Sequence, residues 1–250
     1  MNRVFVFDLD DTLMDNVHDY AGPILDMARV IIRELGSRAP HVSVIIAKEE
    51  EIDKARVHEV NPATGQKFFY SMERFPGTMA ATYRYFCENA KVEPKRAVEE
   101  ELYVVGMQAF DVARYAGNIK PDALSTIRFL YEQKDVPMLM SKGDRRVQSN
   151  KFSALRARDN FLRASIVDNK TPRHFLQMIN GYKGYVPYSV GNDYEKDIVP
   201  ALEAGFTGVF IPAETWEVIG RMDEILAKVD RSRCLVLNNL GEIKERYGEL

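Results

Sequence analysis

Four apolar, β-favouring residues without alternation, Val4, Phe5, Val6 and Phe7, stand immediately before the polar run Asp8-Leu9-Asp10-Asp11-Thr12-Leu13. An unbroken apolar strand of this kind is covered on both faces, as in the parallel sheet of an α/β protein. The same grammar recurs later in the chain. Val136-Pro137-Met138-Leu139-Met140 leads into Ser141-Lys142-Gly143-Asp144, and Ser165-Ile166-Val167 leads into Asp168-Asn169-Lys170. Tyr188-Ser189-Val190 leads into Gly191-Asn192-Asp193, and Thr207-Gly208-Val209-Phe210-Ile211 into Pro212. Between these runs, segments 122–134, 172–179 and 195–204 read as helices. Leu124, Ile127, Leu130 and Tyr131 recur at helical spacing in the first, and Gly205 closes the last. Strands alternating with helices predict a Rossmann-like, doubly wound parallel sheet. Ligands of such sheets bind beyond the carboxyl ends of the strands, where every polar cluster named above falls.

Residues 16–117 follow a different rule. Segments 20–34, 42–60, 78–89 and 97–115 carry helical patterning, separated by Asn61-Pro62-Ala63-Thr64-Gly65 and punctuated at Phe75-Pro76-Gly77, with no clear strand and no internal repeat. The pattern therefore predicts a discontinuous catalytic core, 1–15 and 118–250, interrupted by an all-helical insertion at 16–117.

Composition narrows the class without touching the chemistry. The 250 residues carry a net charge of −3, with 46% hydrophobic and 28% charged positions. That is ordinary for a globular protein, and the near-neutral balance argues against binding nucleic acid through bulk positive charge. Two cysteines cannot form a disulfide framework, which fits a reducing cytoplasm. No stretch reaches the ~20 apolar residues of a membrane span. A strand-like run beginning at Val4 leaves no room for a cationic leader. The expectation is a cytoplasmic protein, monomer or homodimer, with neither a nucleic-acid nor a membrane partner.

Asp8 and Asp10 share a side of the chain if the strand runs on through them. Two carboxylates that close repel unless a proton or a cation sits between them, and Mg²⁺ is an oxygen-seeking cation usually held by one or two carboxylates plus substrate phosphate. An isolated pair of this kind is more often an acidic turn that caps a helix. The hydrophobic strand before it and the matching clusters at the other strand ends reverse that judgement.

The segment FDLDDTL resembles the first motif of the haloacid dehalogenase-like (HAD) hydrolase superfamily, Asp-x-Asp-x-Thr/Val at the end of the first strand. The remaining motifs follow in order. Ser141 matches the second-motif Ser/Thr, with Lys142-Gly143-Asp144 where relatives often have Asn-Gly-Asp. Lys170, before Thr171-Pro172, matches the third-motif lysine. Gly191-Asn192-Asp193-Tyr194-Glu195-Lys196-Asp197 resembles the fourth, usually Gly-Asp-x-x-x-x-Asp. The resemblance covers the core, and the insertion matches the family's helical cap in position and class alone.

The resemblance implies that Asp8 is a nucleophile forming an aspartyl-phosphate, and that Asp10 is general acid and then base. Thr12, Ser141, Lys142 and Lys170 would bind or frame the phosphate, Lys170 also serving catalysis by its charge. Asp8, the main-chain carbonyl of Asp10, and Asn192 would hold Mg²⁺. Asn192 departs from the usual aspartate; its carbonyl can ligate, but one negative charge is lost. Asp193 and Asp197 would then stand behind the metal's direct ligands or serve as alternative ligands. His18, His41, His58 and His174 lack ligand spacing, and Glu49-Glu50-Glu51 reads as a solvated helix face. Phe68, Phe69, Tyr70, Tyr83, Tyr85 and Phe86 read as core of the insertion, and Asn16 and His18 as candidate substrate contacts beside the first motif. Relatives that cleave carbon–halogen bonds lack the second aspartate. Asp10 therefore favours hydrolysis of a small phosphorylated metabolite, with a phosphomutase or a catalytically weak binding protein as alternatives. Phospho-acceptor receivers use similar residues but are shorter and lack the insertion.

Overall fold

The computed structural model describes residues 2–155, 160–216 and 218–250. Six strands form one parallel sheet: β1 (Arg3–Phe7), β2 (Val136–Lys142), β3 (Arg163–Val167), β4 (Val186–Gly191), β5 (Thr207–Phe210) and β6 (Cys234–Val236), in the order β3-β2-β1-β4-β5-β6. The sheet is the doubly wound parallel architecture that the alternating pattern predicts. β1 is central, with Val4 opposite Val136 on one side and Pro187 on the other.

Eleven helices are described: α1 (Ala21–Leu35), α2 (Val42–Arg56), α3 (Arg74–Asn89), α4 (Arg96–Met107), α5 (Val112–Tyr115), α6 (Ala123–Glu132), α7 (Arg145–Ala154), α8 (Pro172–Met178), α9 (Val199–Glu203), α10 (Met222–Lys228) and α11 (Glu242–Glu245). Burial on both faces explains why β1 is apolar without alternation. Phe5 and Phe7 pack with Ile127, Leu130 and Ile243 from α6 and α11, while Val4 and Val6 pack with Phe175, Met178 and Ala201 from α8 and α9. Phe5 stacks on Tyr188 of β4 with ring centroids 4.9 Å apart.

The chain divides into two compact units, Met1–Val17 with Val112–Leu250, and His18–Asp111. Tyr115 explains why the second crossing falls as early as Val112, for it is buried within the cluster that holds Phe5, Phe7 and Leu139. In the other unit α1 to α4 pack around Met27, Ile31, Ile45, Phe75, Met79, Tyr83 and Leu102. The run read as one helix over 97–115 is interrupted: α4 ends at Met107, a short turn spans Gln108–Phe110, and α5 belongs to the first unit. Segment 195–204 is likewise not one regular helix. Tyr194–Ile198 forms a wide turn in which Val199 N–H reaches back to Tyr194 O, and α9 follows. Pro200 has no N–H to continue an ordinary ladder there.

Two readings of the insertion need correction. Glu49 is buried rather than solvated, because it lies on the inner face of α2 near Asp53 and Arg74; burial first, then Asp53, pushes its carboxyl up to about 8. Phe69 and Tyr85 are exposed, whereas Phe68, Tyr83 and Phe86 are core. Among the described residues no helix is long and apolar enough to cross a membrane.

Gly106 of α4 faces Pro76 of α3 so closely that a Cβ added there would sit 2.6 Å from Pro76 Cα. Gly106→Ala should therefore destabilise the protein by about 1–3 kcal/mol in chemical denaturation. An unchanged midpoint would show that α3 and α4 can part without cost.

Candidate active site

β1 and β4 are neighbours at the point where the winding reverses, for β2 and β3 extend the sheet on one side and β5 and β6 on the other. Their carboxyl ends therefore border the crevice that such sheets use for ligands. Asp8 N–H donates to Val190 O at 2.9 Å, so the ladder extends one residue past β1 and fixes Asp8 at the sheet's rim. Beyond it the chain turns tightly: Leu13 and Met14 N–H both return to Leu9 O, and Asp11 takes a positive φ of 58°. Asp11 Oδ1 accepts from the N–H groups of Asn16 and Val17, which ties down the exit of the loop.

The buried Asp8 carboxylate is held at both oxygens. Oδ1 accepts from Lys170 Nζ at 2.5 Å, and Oδ2 from Thr12 Oγ1 at 2.9 Å. Lys170 follows β3 and precedes α8, and its ammonium makes a second bond to Asp197 Oδ1 at 2.6 Å. Asp197 is fixed in turn, its Oδ2 accepting from Asp193 N–H at 3.0 Å and its main-chain oxygen from Ser189 Oγ at 2.8 Å. The glycine at 191 makes this approach possible, since a Cβ there would lie 2.3 Å from Asp197 Cβ.

Two carboxylates thus share one ammonium inside the protein. Burial pulls the Lys170 ammonium down, but Asp197 and Asp8 outweigh it and hold it above the usual lysine range. Burial pushes the Asp8 carboxyl up to about 7; Lys170 opposes the shift, and Asp197 and Asp10 add to it.

Thr12 exposes a surplus of acceptors. Its hydroxyl has one hydrogen, yet Asp8 Oδ2 lies at 2.9 Å and Asn192 Oδ1 at 3.0 Å. With the Asn192 amide in this orientation, one proton faces two oxygens whose remaining lone pairs suit a hard cation. The oxygen set fits Mg²⁺ in kind. Among the described residues no three His, Cys, Asp or Glu side chains are gathered to hold a metal. Asn192 and a main-chain carbonyl would have to complete the set.

Asp10 has other partners. Its Oδ2 accepts from Gln148 Nε2 at 2.8 Å and its Oδ1 from Lys151 Nζ at 2.7 Å. Ser141 is buried at the end of β2 and donates to Gln148 Oε1 at 2.9 Å, so its hydroxyl is committed within the protein rather than open to a ligand. Lys142 is half-buried; burial, then repulsion from Lys196 and Lys170, lowers its ammonium to about 8 against the pull of Asp193 and Asp197. Asp193 caps the turn that follows, accepting from Lys196 N–H at 3.0 Å and pairing with Lys196 Nζ at 3.3 Å. That carboxylate is therefore engaged with its own turn rather than with Asp8 or Asn192. Asn16 Oδ1 accepts from Lys151, whereas His18 falls in the other unit.

The structure thus gathers Asp8, Thr12, Lys170, Asn192 and Asp197 in one hydrogen-bonded group, and Asp10 with Ser141 in a second. Gln148 and Lys151 were missed from sequence. Their only signal is a polar pair one turn apart on the helix after the second motif, which many exposed helices share.

No protein-family model matches the sequence, and no curated protein does. Solved structures do match in fold. A haloacid dehalogenase-like family hydrolase from Xanthomonas campestris is 16% identical, covers 99% of this chain and 95% of its own, and superposes with a TM-score of 0.62. A 2-haloacid dehalogenase from Pseudomonas syringae pv. tomato is 19% identical over 100% of this chain and 99% of its own, with a TM-score of 0.58. A HAD phosphatase from Thermococcus onnurineus is 16% identical over 98% of each chain, with a TM-score of 0.57. The chain has the HAD-like fold over nearly its whole length.

In metal-free protein the folded state retains the Asp8 proton at pH values where the unfolded chain has released it. The stability due to this group is full below about pH 4 and is lost as pH rises through about 7. Urea denaturation in EDTA between pH 5 and 8 should show wild type losing stability relative to Asp8→Asn as pH rises. Parallel profiles would remove this titration from Asp8.

Proposed function

We propose that this protein hydrolyses phosphoric monoesters through an aspartyl-phosphate on Asp8. The observation that carries the reading is the Asp8 carboxylate at the switch point of the sheet, held by Lys170 and Thr12, with a second carboxylate two residues on. A carboxylate attacking phosphorus splits one difficult displacement into two easier ones. An Asp8 oxygen forms the new bond to phosphorus as the bond to the ester oxygen breaks, and Asp10 gives that oxygen its proton. Water then attacks the acyl-phosphate, Asp10 takes up the water proton, and the phosphorus–Asp8 bond breaks to release inorganic phosphate.

Lys170 holds Asp8 oriented and brings positive charge to the phosphoryl oxygens. Asp197 keeps that ammonium in place. Asp8, Asn192 and the main-chain carbonyl of Asp10 would hold Mg²⁺, which when bound offsets the negative charge shared by phosphate and carboxylate. Ser141 can serve the phosphate only by exchanging its bond to Gln148. The fold is shared with a 2-haloacid dehalogenase, but a departing halide requires no proton, whereas a departing alkoxide does. Asp10 supplies one. The substrate we favour is a small phosphorylated metabolite.

Purified protein should release phosphate from p-nitrophenyl phosphate in a Mg²⁺-dependent manner, and Asp8→Asn should lower kcat by at least about 10³-fold. Full activity in that variant would exclude Asp8 as nucleophile, and halide release from a 2-haloacid without phosphate release would replace the reading. Asn192→Asp restores one negative charge and should tighten Mg²⁺ about tenfold in a titration of activity against metal. A phosphate-release screen of phosphorylated metabolites would identify the substrate.

A further inference from the structure

α7 places Gln148 and Lys151 one turn apart on one face, and both are almost fully buried. A lysine 3% exposed requires a specific partner, because burying an unpaired ammonium is costly. Lys151 Nζ donates to Asp10 Oδ1 at 2.7 Å and to Asn16 Oδ1 at 2.5 Å. Gln148 uses both ends of its amide. Nε2 donates to Asp10 Oδ2 at 2.8 Å while Oε1 accepts from Ser141 Oγ at 2.9 Å. Each oxygen of Asp10 is thus gripped from the same helix. α7 is anchored at its start by Asp144, whose Oδ1 accepts from Arg146 and Val147 N–H at 2.9 and 3.2 Å.

The grip fixes a side chain that would otherwise be free to turn. Asp10 lies in the turn beyond β1, bridged to Met14, and is partly exposed, so its carboxylate is oriented by these hydrogen bonds more than by close packing. Gln148 and Lys151 leave each oxygen with a further lone pair, which is what contact with a substrate oxygen requires. A misplacement of about 1 Å in such a group can cost about 10²-fold in rate.

We infer that Gln148 and Lys151 are positioning residues that hold the Asp10 carboxylate in the orientation from which it serves the leaving oxygen and the attacking water. The inference rests on the phosphatase reading above and adds to it two residues outside the four motifs. Gln148 also joins the second motif to the first, since it is the side chain through which Ser141 meets Asp10.

The test compares Gln148→Leu, Lys151→Met and Lys151→Arg with wild type on two substrates, glycerol 2-phosphate and p-nitrophenyl phosphate. The alkoxide of the first must be protonated as it leaves, whereas p-nitrophenolate departs readily without a proton. Gln148→Leu and Lys151→Met should lower kcat/KM on the alkyl ester, which reports formation of the aspartyl-phosphate and not its hydrolysis, by about 10–100-fold. The loss on the nitrophenyl ester should be about tenfold smaller. Lys151→Arg keeps the charge and its donors and should recover most of the lost rate. Thermal unfolding of each variant separates this pattern from general damage, which would depress both substrates alike. Equal losses of kcat/KM on both esters, or full activity in both truncated variants beside an active wild type, would overturn the positioning role and leave the phosphatase reading standing. A wild type inactive on both esters would reject the phosphatase reading and the positioning role together.

Discussion

The site is organised around one buried ammonium between two buried carboxylates. Lys170 touches Asp8 and Asp197, and each of the three residues comes from a different strand end. A buried ion pair gives little net stability once desolvation is counted, yet removing one partner leaves a costly uncompensated charge. This asymmetry makes the cluster a determinant of geometry more than of stability. Lys170 can meet both carboxylates only if β1, β3 and β4 are in register, and Asp197 can reach it only because the wide turn after β4 passes over Gly191. Two negative groups and one positive leave the cluster with an excess of negative charge, while burial, opposed by Lys170 and aided by Asp197, raises the Asp8 carboxyl. Such an excess is tolerable at a site that receives a cation and wasteful elsewhere.

The two aspartates of the first motif are separated by their surroundings rather than by distance in the chain. Asp8 continues the strand ladder and turns to Lys170 and Thr12; Asp10 lies past the ladder and turns to Gln148 and Lys151. Neighbouring carboxylates given different partners can perform different tasks, one as nucleophile and one in proton transfer. The tight turn through Leu9 and Asp11 directs Asp8 to the loop after β3 and Asp10 to α7. Asp11 contributes by binding the N–H groups of Asn16 and Val17, so the third acidic residue of the motif holds the loop's exit.

Asn192 fits the same electrostatic frame. A carboxylate in its place would add a third negative charge near Asp8 and Asp197, which already share Lys170. The amide supplies a carbonyl oxygen without that charge, which eases the metal-free state and weakens the attraction for a cation. Asp193 does not compensate, because its carboxylate is engaged by Lys196 at the start of the following turn.

By itself the sequence determined the sheet, the helical insertion and the strand-end clusters, because those depend on unbroken apolar runs, on a helical period of about four residues and on turn chemistry, all of which act locally. Unalternated Val4 to Phe7 already implied burial on both faces. The four motifs were legible for the same reason, each being a short segment at a strand end. Tertiary structure alone decided which polar residues meet. Gln148 and Lys151 sit on a helix that the sequence pattern did not single out, and only the docking of α7 beside the β1 loop brings them to Asp10, some 140 positions earlier. Glu49 misled for the converse reason: three consecutive glutamates look solvated, but one must face inward on a helix that packs against α3. The boundary near Val112 also depended on packing, since Tyr115 joins a core built from distant strands. A side chain's fate follows local pattern where its partners are neighbours in the chain, and follows the fold where they are not.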